Sequence, residues 1–198
     1  KDDLVLQIER FIAHLEDAGK PLPPGAFYSA EPLARTGKLA LLFAGQGSQY
    51  PNMLRRVAVN FPDIPRVLEQ ADAVLETQLG CSVGPGTRLS RLIYPPGLYA
   101  AEEEAAALAR LTRTEIAQPA LGAVEAGLWH LLQRLGLKAD MAGGHSYGEY
   151  VALYAAGVLT LKDLLRLSEA RGRFIVEAAA GKDLGTMAAV PVSREEAE

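Results

Sequence analysis

The 198-residue chain holds one cysteine, Cys81, and three histidines, His14, His130 and His145. A single thiol excludes an intrachain disulfide framework and suits a reducing compartment, so a cytoplasmic setting is expected. So few thiols and imidazoles also exclude an ordinary zinc cluster, and no metal site is expected. Positive charge is scarce: 20 Lys and Arg stand against 24 Asp and Glu, for a net charge of −4. No face is basic enough to track a phosphate backbone, which argues against a nucleic-acid partner. Long apolar runs are missing too. Runs such as Leu39–Ala44 and Met187–Val192 fall far short of the roughly 20 residues a bilayer-spanning helix needs, so no membrane span is expected. There is no initiator Met and no signal-like leader; the chain starts at Lys1 and reads as a piece of something longer. What is present is ordinary for a folded core. The 49% hydrophobic and 22% charged composition excludes disorder for most of the chain, and the length fits one domain plus a flanking segment.

Leu4, Val5, Ile8, Phe11, Ile12 and Leu15 recur at helical spacing, which predicts an amphipathic helix over 4–18 with Gly19 as its stop. Lys20-Pro-Leu-Pro-Pro-Gly25 can be neither helix nor central strand. Residues 1–37 are therefore expected to be a linker helix and Pro-rich connector ahead of a domain over 38–198. Lys38–Ala44 reads as a buried parallel strand turning at Gly45-Gln46-Gly47-Ser48 into a helix. Helical periodicity marks 63–79, 99–111 and Ile116–Leu135, the last with Pro119 near its start. Met141–Gly144 reads as the end of a second buried strand, followed by a helix over Tyr150–Ala156. Leu161–Ala180 is a further helix, with Thr160 as N-cap and Asp163 three residues on in a variant capping box. A strand is expected over Thr186–Val192 and a helix start at Ser193-Arg-Glu-Glu196. Alternating strands and helices predict an α/β fold with a parallel sheet.

Gly144-His145-Ser146-Tyr147-Gly148 is G-x-S-x-G between a strand and a helix, the sequence of a nucleophile elbow. The turn is sharp enough to strain the serine backbone. The glycines two residues either side remove side chains that would collide with the neighbouring strand and helix. The following helix aims its N-terminus and the Tyr147 N–H at the serine, an arrangement that can stabilise an oxyanion. A chain with 19 glycines can produce the pattern by chance, but the flanking strand and helix favour a nucleophile. Ser146 still needs a base. His145 is adjacent, and successive side chains on the turn diverge, so it reads as a structural histidine bonding backbone near the turn. His130, mid-helix in an apolar stretch, reads as a packed core residue, and His14 lies in the outlying helix. In elbow folds the base follows the serine, and no histidine follows Ser146.

Gly45-Gln46-Gly47-Ser48-Gln49 fits no nucleotide motif, because the third glycine of G-x-G-x-x-G is replaced by Tyr50 and no Walker sequence occurs. Alone it is either a tight loop or a set of main-chain N–H groups open to an anion. In Arg171-Gly172-Arg173, Arg173 reads as a solvated or paired helix residue, with Glu169 a ready partner.

Together, the Gly45–Gln49 segment, Thr114-Glu-Ile-Ala-Gln-Pro-Ala-Leu121, Gly144-His-Ser-Tyr-Gly-Glu149, Arg171-Gly172 and Gly185-Thr-Met-Ala-Ala-Val190 resemble, in order, the motifs of the malonyl-CoA:acyl carrier protein transacylase family. That family includes the acyltransferase domains of polyketide and fatty-acid synthases. The 25-position step from Ser146 to Arg171 matches its spacing. Tyr147 is bulkier than is common at its place and points towards iterative synthases of enediyne or polyunsaturated fatty-acid type. The resemblance implies an α/β-hydrolase-like core with a parallel sheet and nucleophile elbow. It also implies a ferredoxin-like subdomain after residue 198 and a catalytic histidine in that later portion.

By the same resemblance, Ser146 is the acyl-accepting nucleophile. The N–H groups of Gln46 and Tyr147 form the oxyanion hole, and Arg171 holds the free carboxylate of a malonyl-type acyl group. The expected donor is malonyl-CoA, and the expected acceptor is the phosphopantetheine thiol of an acyl carrier protein. No bound cofactor is implied, and a ketosynthase neighbour is implied through the 1–37 linker. Two rivals remain at this point: a serine hydrolase releasing the acyl group to water, and a non-catalytic docking module, which has no need of Ser146, Gln46 and Arg171 together.

Overall fold

Pairing between distant segments sets the frame. Ala40–Phe43 (β1) and Met141–Gly144 (β2) run parallel, with Ala40 opposite Met141 and Phe43 opposite Gly144. Among the described residues they form a two-stranded sheet. The computed structural model describes residues 2–97, 99–179 and 192–197. The chain divides into two compact units, Lys1–Leu39 and Ala40–Glu198.

The first unit holds the helix Asp2–Glu16 (α1) and a single 3-10 turn at Leu33–Arg35. α1 stops two residues short of the expected Ala18, because the Asp17 carboxylate accepts from the Gly19 N–H at 3.0 Å and turns the chain. The Phe11 and Tyr28 rings meet edge to face at 6.2 Å. His14 Nδ1 donates to the Lys20 carbonyl at 2.5 Å.

The second unit runs β1, α2 (Arg55–Asn60), α3 (Asp63–Ser82), α4 (Leu89–Ile93), α5 (Ala101–Thr112), α6 (Thr114–Arg134), β2, α7 (Gly148–Ala155), α8 (Leu161–Ala179) and α9 (Arg194–Ala197). It is a mixed α/β arrangement in which helices dominate and the parallel sheet is small. No helix is long and apolar enough to cross a membrane, among the described residues. The sequence periodicity left α2 and α4 out; at six and five residues they are too short to carry a helical repeat.

α6 is the central element. It packs against α3, α8, α7 and α5, and every residue from Glu115 to Val124 is buried. A helix apolar on nearly every side is what such a position demands. α6 begins two residues before the expected Ile116, so Pro119 falls in its second turn, where its missing N–H leaves one helical bond unmade. At the far end Arg134 grips Asp63 with two hydrogen bonds, 2.7 and 3.1 Å, tying α6 to the start of α3 and holding the Asp63 carboxyl below its ordinary range.

The caps follow the sequence with one change of detail. Thr160 Oγ1 accepts from the Asp163 N–H at 3.1 Å and donates to the Asp163 carboxylate at 2.6 Å, so the two side chains close on each other at the start of α8. The Ser193 N–H donates to Glu196 at 3.1 Å, opening α9. Of the strand expected over Thr186–Val192, residues 186–191 lie outside the described residues and Val192 sits in a bend.

Two glycines in these helices make a controlled comparison. A Cβ on Gly127 of α6 would come 2.7 Å from Ile64 Cα, whereas one on Gly80 of α3 would meet nothing within 4 Å. Alanine favours helix over glycine by about 1 kcal/mol, while overpacking a tight contact costs about 1–3 kcal/mol. Gly80→Ala is therefore expected to raise the urea midpoint and Gly127→Ala to lower it. Shifts of the same sign would contradict the close α3–α6 approach.

Candidate active site

The site is built where the two parallel strands end side by side. Because Phe43 pairs with Gly144, the Gly45–Gln49 loop and the His145–Tyr147 turn leave the same edge, about 100 residues apart in sequence. The His145 N–H donates to the Phe43 carbonyl at 3.0 Å, extending the pairing one residue into the turn. Ser146 follows with φ of +53°, a left-handed conformation that a non-glycine residue holds at a cost of roughly 1–2 kcal/mol. This is the strain expected of an elbow serine.

The flanking glycines are explained by distance. A Cβ on Gly144 would lie 2.0 Å from the Gly148 carbonyl carbon, and one on Gly148 would lie 2.3 Å from the Phe43 oxygen. A side chain at 144 would push the start of α7 off β2, and one at 148 would push it off the end of β1. The turn closes through Gly148 N to His145 O at 2.9 Å and Tyr150 N to Tyr147 O at 3.0 Å. These bonds do not use the Tyr147 N–H, which stands at the N-cap of α7. α7 starts two residues before the expected Tyr150, so its first turn grows directly out of the elbow.

The facing loop is held from its side chains. Gln46 Nε2 donates to Thr114 Oγ1 at 3.1 Å, and Gln118 Nε2 donates to Gln46 Oε1 at 3.2 Å. Both partners stand in the first turns of α6. The Gly47 N–H donates to Gln49 Oε1 at 2.8 Å. With its side chain anchored this way, the Gln46 N–H is outside the loop's own bonds. The structure thus places the loop of Gln46 and the turn of Ser146 and Tyr147 at the ends of two paired strands.

Arg171 reaches the elbow through an aromatic ring. Its guanidinium lies 5.7 Å from the Tyr150 ring centroid, and the Tyr150 ring stacks on Tyr147 at 6.1 Å and 9°. Arg173 points elsewhere: it pairs with the buried Glu169 at 3.2 Å and with Glu177 at 3.0 Å, as its position suggested. The three histidines divide differently. His145 is exposed, and its bond near the turn comes from the main-chain N–H. A Cβ on Gly45 would lie 2.5 Å from the His145 main-chain oxygen and 2.9 Å from its ring Nδ1, so Gly45 is bare because the loop passes against the backbone of the turn. His130 is half-buried, not fully packed, and its Nε2 meets the Tyr154 hydroxyl. His14 belongs to the first unit. Among the described residues no histidine hydrogen-bonds Ser146.

Two residues of α6 make contacts near the site that the sequence does not show. Gln118 is fully buried, and its Oε1 has no hydrogen-bond partner among the described residues. Glu125, also on α6, accepts from the Ala44 N–H at 2.9 Å, one residue before Gly45, while its second oxygen is buried without a partner among the described residues. Burial pushes the Glu125 carboxyl up to about 7, against the lowering effect of the Ala44 N–H. The signal was available: Glu125 is the lone charge between Ile116 and His130 in an otherwise apolar helix.

A family model described as an acyl transferase domain matches residues 40–198. The chain is 40% identical over 173 residues to the phenolphthiocerol synthesis polyketide synthase Pks15/1 of Mycobacterium marinum, covering 87% of this chain and 7% of that one. It is 38% identical over 161 residues to the polyketide synthase GfsA of Streptomyces halstedii, covering 81% of this chain and 2% of that one. It is 36% identical over 153 residues to the malonyl CoA-acyl carrier protein transacylase of Bacillus subtilis, covering 77% of this chain. The chain spans 42% of that transacylase's length and far less of the synthases. Among solved structures, the acyl transferase domain of ZmaA superposes with a TM-score of 0.61 at 31% identity, over 71% of this chain and 30% of that one. A malonyl-transacylase in complex with its type II polyketide acyl-carrier protein superposes with a TM-score of 0.58 at 35% identity, over 72% of this chain and 40% of that one.

The Glu125 carboxyl gives a pH test of this geometry. Its raised value means that the folded state holds a proton that the unfolded chain releases at ordinary carboxylate pH. The stability this contributes is present in acid and is lost as pH rises through about 7. Glu125→Gln keeps an acceptor for Ala44 and cannot ionise. Its stability advantage over the parent chain is expected to grow between pH 5 and pH 8, by on the order of 2 kcal/mol. A difference that stays flat across that range would show that the carboxyl is not held neutral by burial.

Proposed function

The chain belongs to the acyl transferase domain family, and from that premise we propose that it forms the nucleophile-bearing part of an enzyme that moves a malonyl-type acyl group from CoA to the phosphopantetheine thiol of an acyl carrier protein. The observation that carries this reading is Ser146, strained at φ +53° on a turn whose neighbouring strand end presents the Gln46 loop. Residues 38–198 contribute to the acyltransferase domain, with an α/β-hydrolase-like core. Residues 1–37 act as the linker towards a ketosynthase neighbour in a cytoplasmic synthase. A ferredoxin-like subdomain and the catalytic histidine lie beyond residue 198.

In the first half-reaction Ser146 Oγ attacks the thioester carbonyl and passes its proton to that histidine. Negative charge gathers on the carbonyl oxygen, where the N–H groups of Gln46 and Tyr147 and the N-terminus of α7 stabilise it. Collapse of the intermediate breaks the carbon–sulfur bond, and the CoA sulfur leaves with the proton from the histidine. The carrier thiol reverses the sequence, giving its proton to the histidine as it attacks the acyl-serine. No metal or bound cofactor takes part.

Arg171 supplies selectivity. A malonyl half-thioester carries one free carboxylate, and a planar guanidinium binds it through two parallel hydrogen bonds. An acetyl group would leave that cation desolvated and without a counter-ion, which is the physical basis for rejecting it. Tyr150 helps by keeping the guanidinium over its ring face.

Intact-protein mass spectrometry of the full-length protein with malonyl-CoA checks the nucleophile. The parent enzyme is expected to gain a malonyl adduct and Ser146→Ala none; an adduct on Ser146→Ala would remove the serine from its role. Arg171→Ala is expected to lose acylation by malonyl-CoA by about 10–100-fold while accepting acetyl-CoA better. Unchanged selectivity would remove Arg171 from carboxylate binding. Turnover with and without carrier protein separates transfer from release to water.

A further inference from the structure

Ser146 and Arg171 stand on different elements, yet a substrate bound at both ends needs a fixed distance between them. A side-chain pair below the elbow provides one. Tyr147 is completely buried, and its hydroxyl lies 2.6 Å from Ser168 Oγ on α8. Ser168 is completely buried as well and spends its single hydroxyl proton on the Leu164 carbonyl at 2.5 Å. The direction of the contact follows: the Tyr147 O–H donates and Ser168 Oγ accepts. Ser168 precedes Arg171 by three residues, close to one helical turn.

We propose that Ser168 is a positioning residue, whose hydroxyl receives the Tyr147 O–H and so fixes α8 against the elbow at the register that sets Arg171 for the acyl carboxylate. The inference rests on the acyl-transfer reading given above.

Three further features support this geometry. Gly122 of α6 leaves the space the pair occupies; a Cβ there would lie 2.2 Å from the Tyr147 hydroxyl and 3.4 Å from Ser168 Oγ. Gly172, beside Arg171, brings α8 onto the start of α6, where a Cβ would lie 2.6 Å from Glu115 Cα. α8 is therefore pressed close at 172 and held by a directional bond at 168, leaving little freedom to slide or turn. Finally, Tyr147 carries both ends of the link. Its N–H belongs to the elbow and its hydroxyl to α8, while its ring stacks on the Tyr150 ring that Arg171 overlies. A phenylalanine would fill the same volume; the hydroxyl adds direction. Burial pushes that hydroxyl well above its ordinary range, so it stays a donor at any working pH.

A register set in this way selects acyl groups by the distance from thioester carbon to carboxylate. Discrimination should fall both against acetyl, which lacks the carboxylate, and against succinyl, whose carboxylate lies one methylene further out.

The test uses the full-length protein and four variants: Ser168→Ala, Tyr147→Phe, the two combined, and Ser168→Thr. Single-turnover acylation is measured with malonyl-, acetyl- and succinyl-CoA, with thermal unfolding alongside. Each single variant is expected to lower the malonyl-to-acetyl and malonyl-to-succinyl rate ratios by about three- to tenfold, the range set by loss of one hydrogen bond. The combined variant should lower them no more than either alone, because both remove the same bond. It also leaves no buried group orphaned, so it serves if Ser168→Ala folds poorly. Ser168→Thr keeps the acceptor and should keep the ratios. Unchanged ratios in the combined variant, with or without a loss of stability, would reduce the pair to a packing role and overturn the proposal. Effects that add would overturn it as well. If the parent protein gains no malonyl adduct on Ser146, the acyl-transfer reading fails first; with the adduct present and the ratios fixed, only the positioning role fails.

Discussion

The parallel register of β1 and β2 is the constraint on which the site depends. Pairing Phe43 with Gly144 places two chain exits side by side. One exit carries main-chain N–H groups on a glycine-rich loop, and the other carries the serine. Neither segment has this property alone. The bond from His145 to Phe43 and the bare approach of Gly148 to the Phe43 carbonyl extend the same register past the last strand residue. The strain at Ser146 is held by this arrangement: the chain must turn immediately after pairing ends, and α7 begins two residues later. A backbone fixed on both sides is suited to stabilising charge, because donors that are already aimed need no rearrangement when the charge appears.

α6 is the second organising element, and it serves the site along much of its length. Thr114 and Gln118 hold the Gln46 side chain, Glu125 holds the Ala44 N–H, and Gly122 makes room for Tyr147. Loop, strand exit and elbow are thus all referred to one buried helix. This explains polar residues inside an element that is otherwise uniformly apolar. A buried carboxyl and a buried amide, each with one oxygen that has no hydrogen-bond partner among the described residues, are costly, and both stand on the helix that holds the Gln46 loop and the end of β1.

Much of this was legible in the sequence, because the signals are local. The elbow announces itself through two glycines at fixed offsets, and the distances at Gly144 and Gly148 show why no other residue would serve. The long helix declares itself by its apolar run. Short helices such as α4 do not, since five residues carry no periodicity. The side-chain links across the site were also out of reach. The bond between Tyr147 and Ser168 joins residues 21 apart on different helices, and that from Glu125 to Ala44 joins residues 81 apart. Spacing along the chain says nothing of such pairs until the packing of α6 against α8 is known. The half-buried state of His130 was missed for a related reason: its partner, the Tyr154 hydroxyl, comes from α7 and cannot be read from the apolar run around the histidine.

The arginine at 171 illustrates how packing assigns chemistry to residues of one type. Arg171 and Arg173 lie two positions apart on the same helix, so they face roughly 200° apart around its axis. Arg173 meets carboxylates one turn before and one turn after it and is absorbed into the surface of α8. Arg171 is turned towards the elbow, where the group it meets is the flat face of Tyr150. An aromatic face attracts the cation without neutralising it, so the guanidinium edge stays available for a carboxylate. In the proposed reaction this cation meets the far carboxylate of a short diacid, while Ser146 meets the reacting carbonyl. On that proposal, selectivity is a matter of the distance between the elbow and α8 as well as of charge, and both α7 and α8 pack against α6.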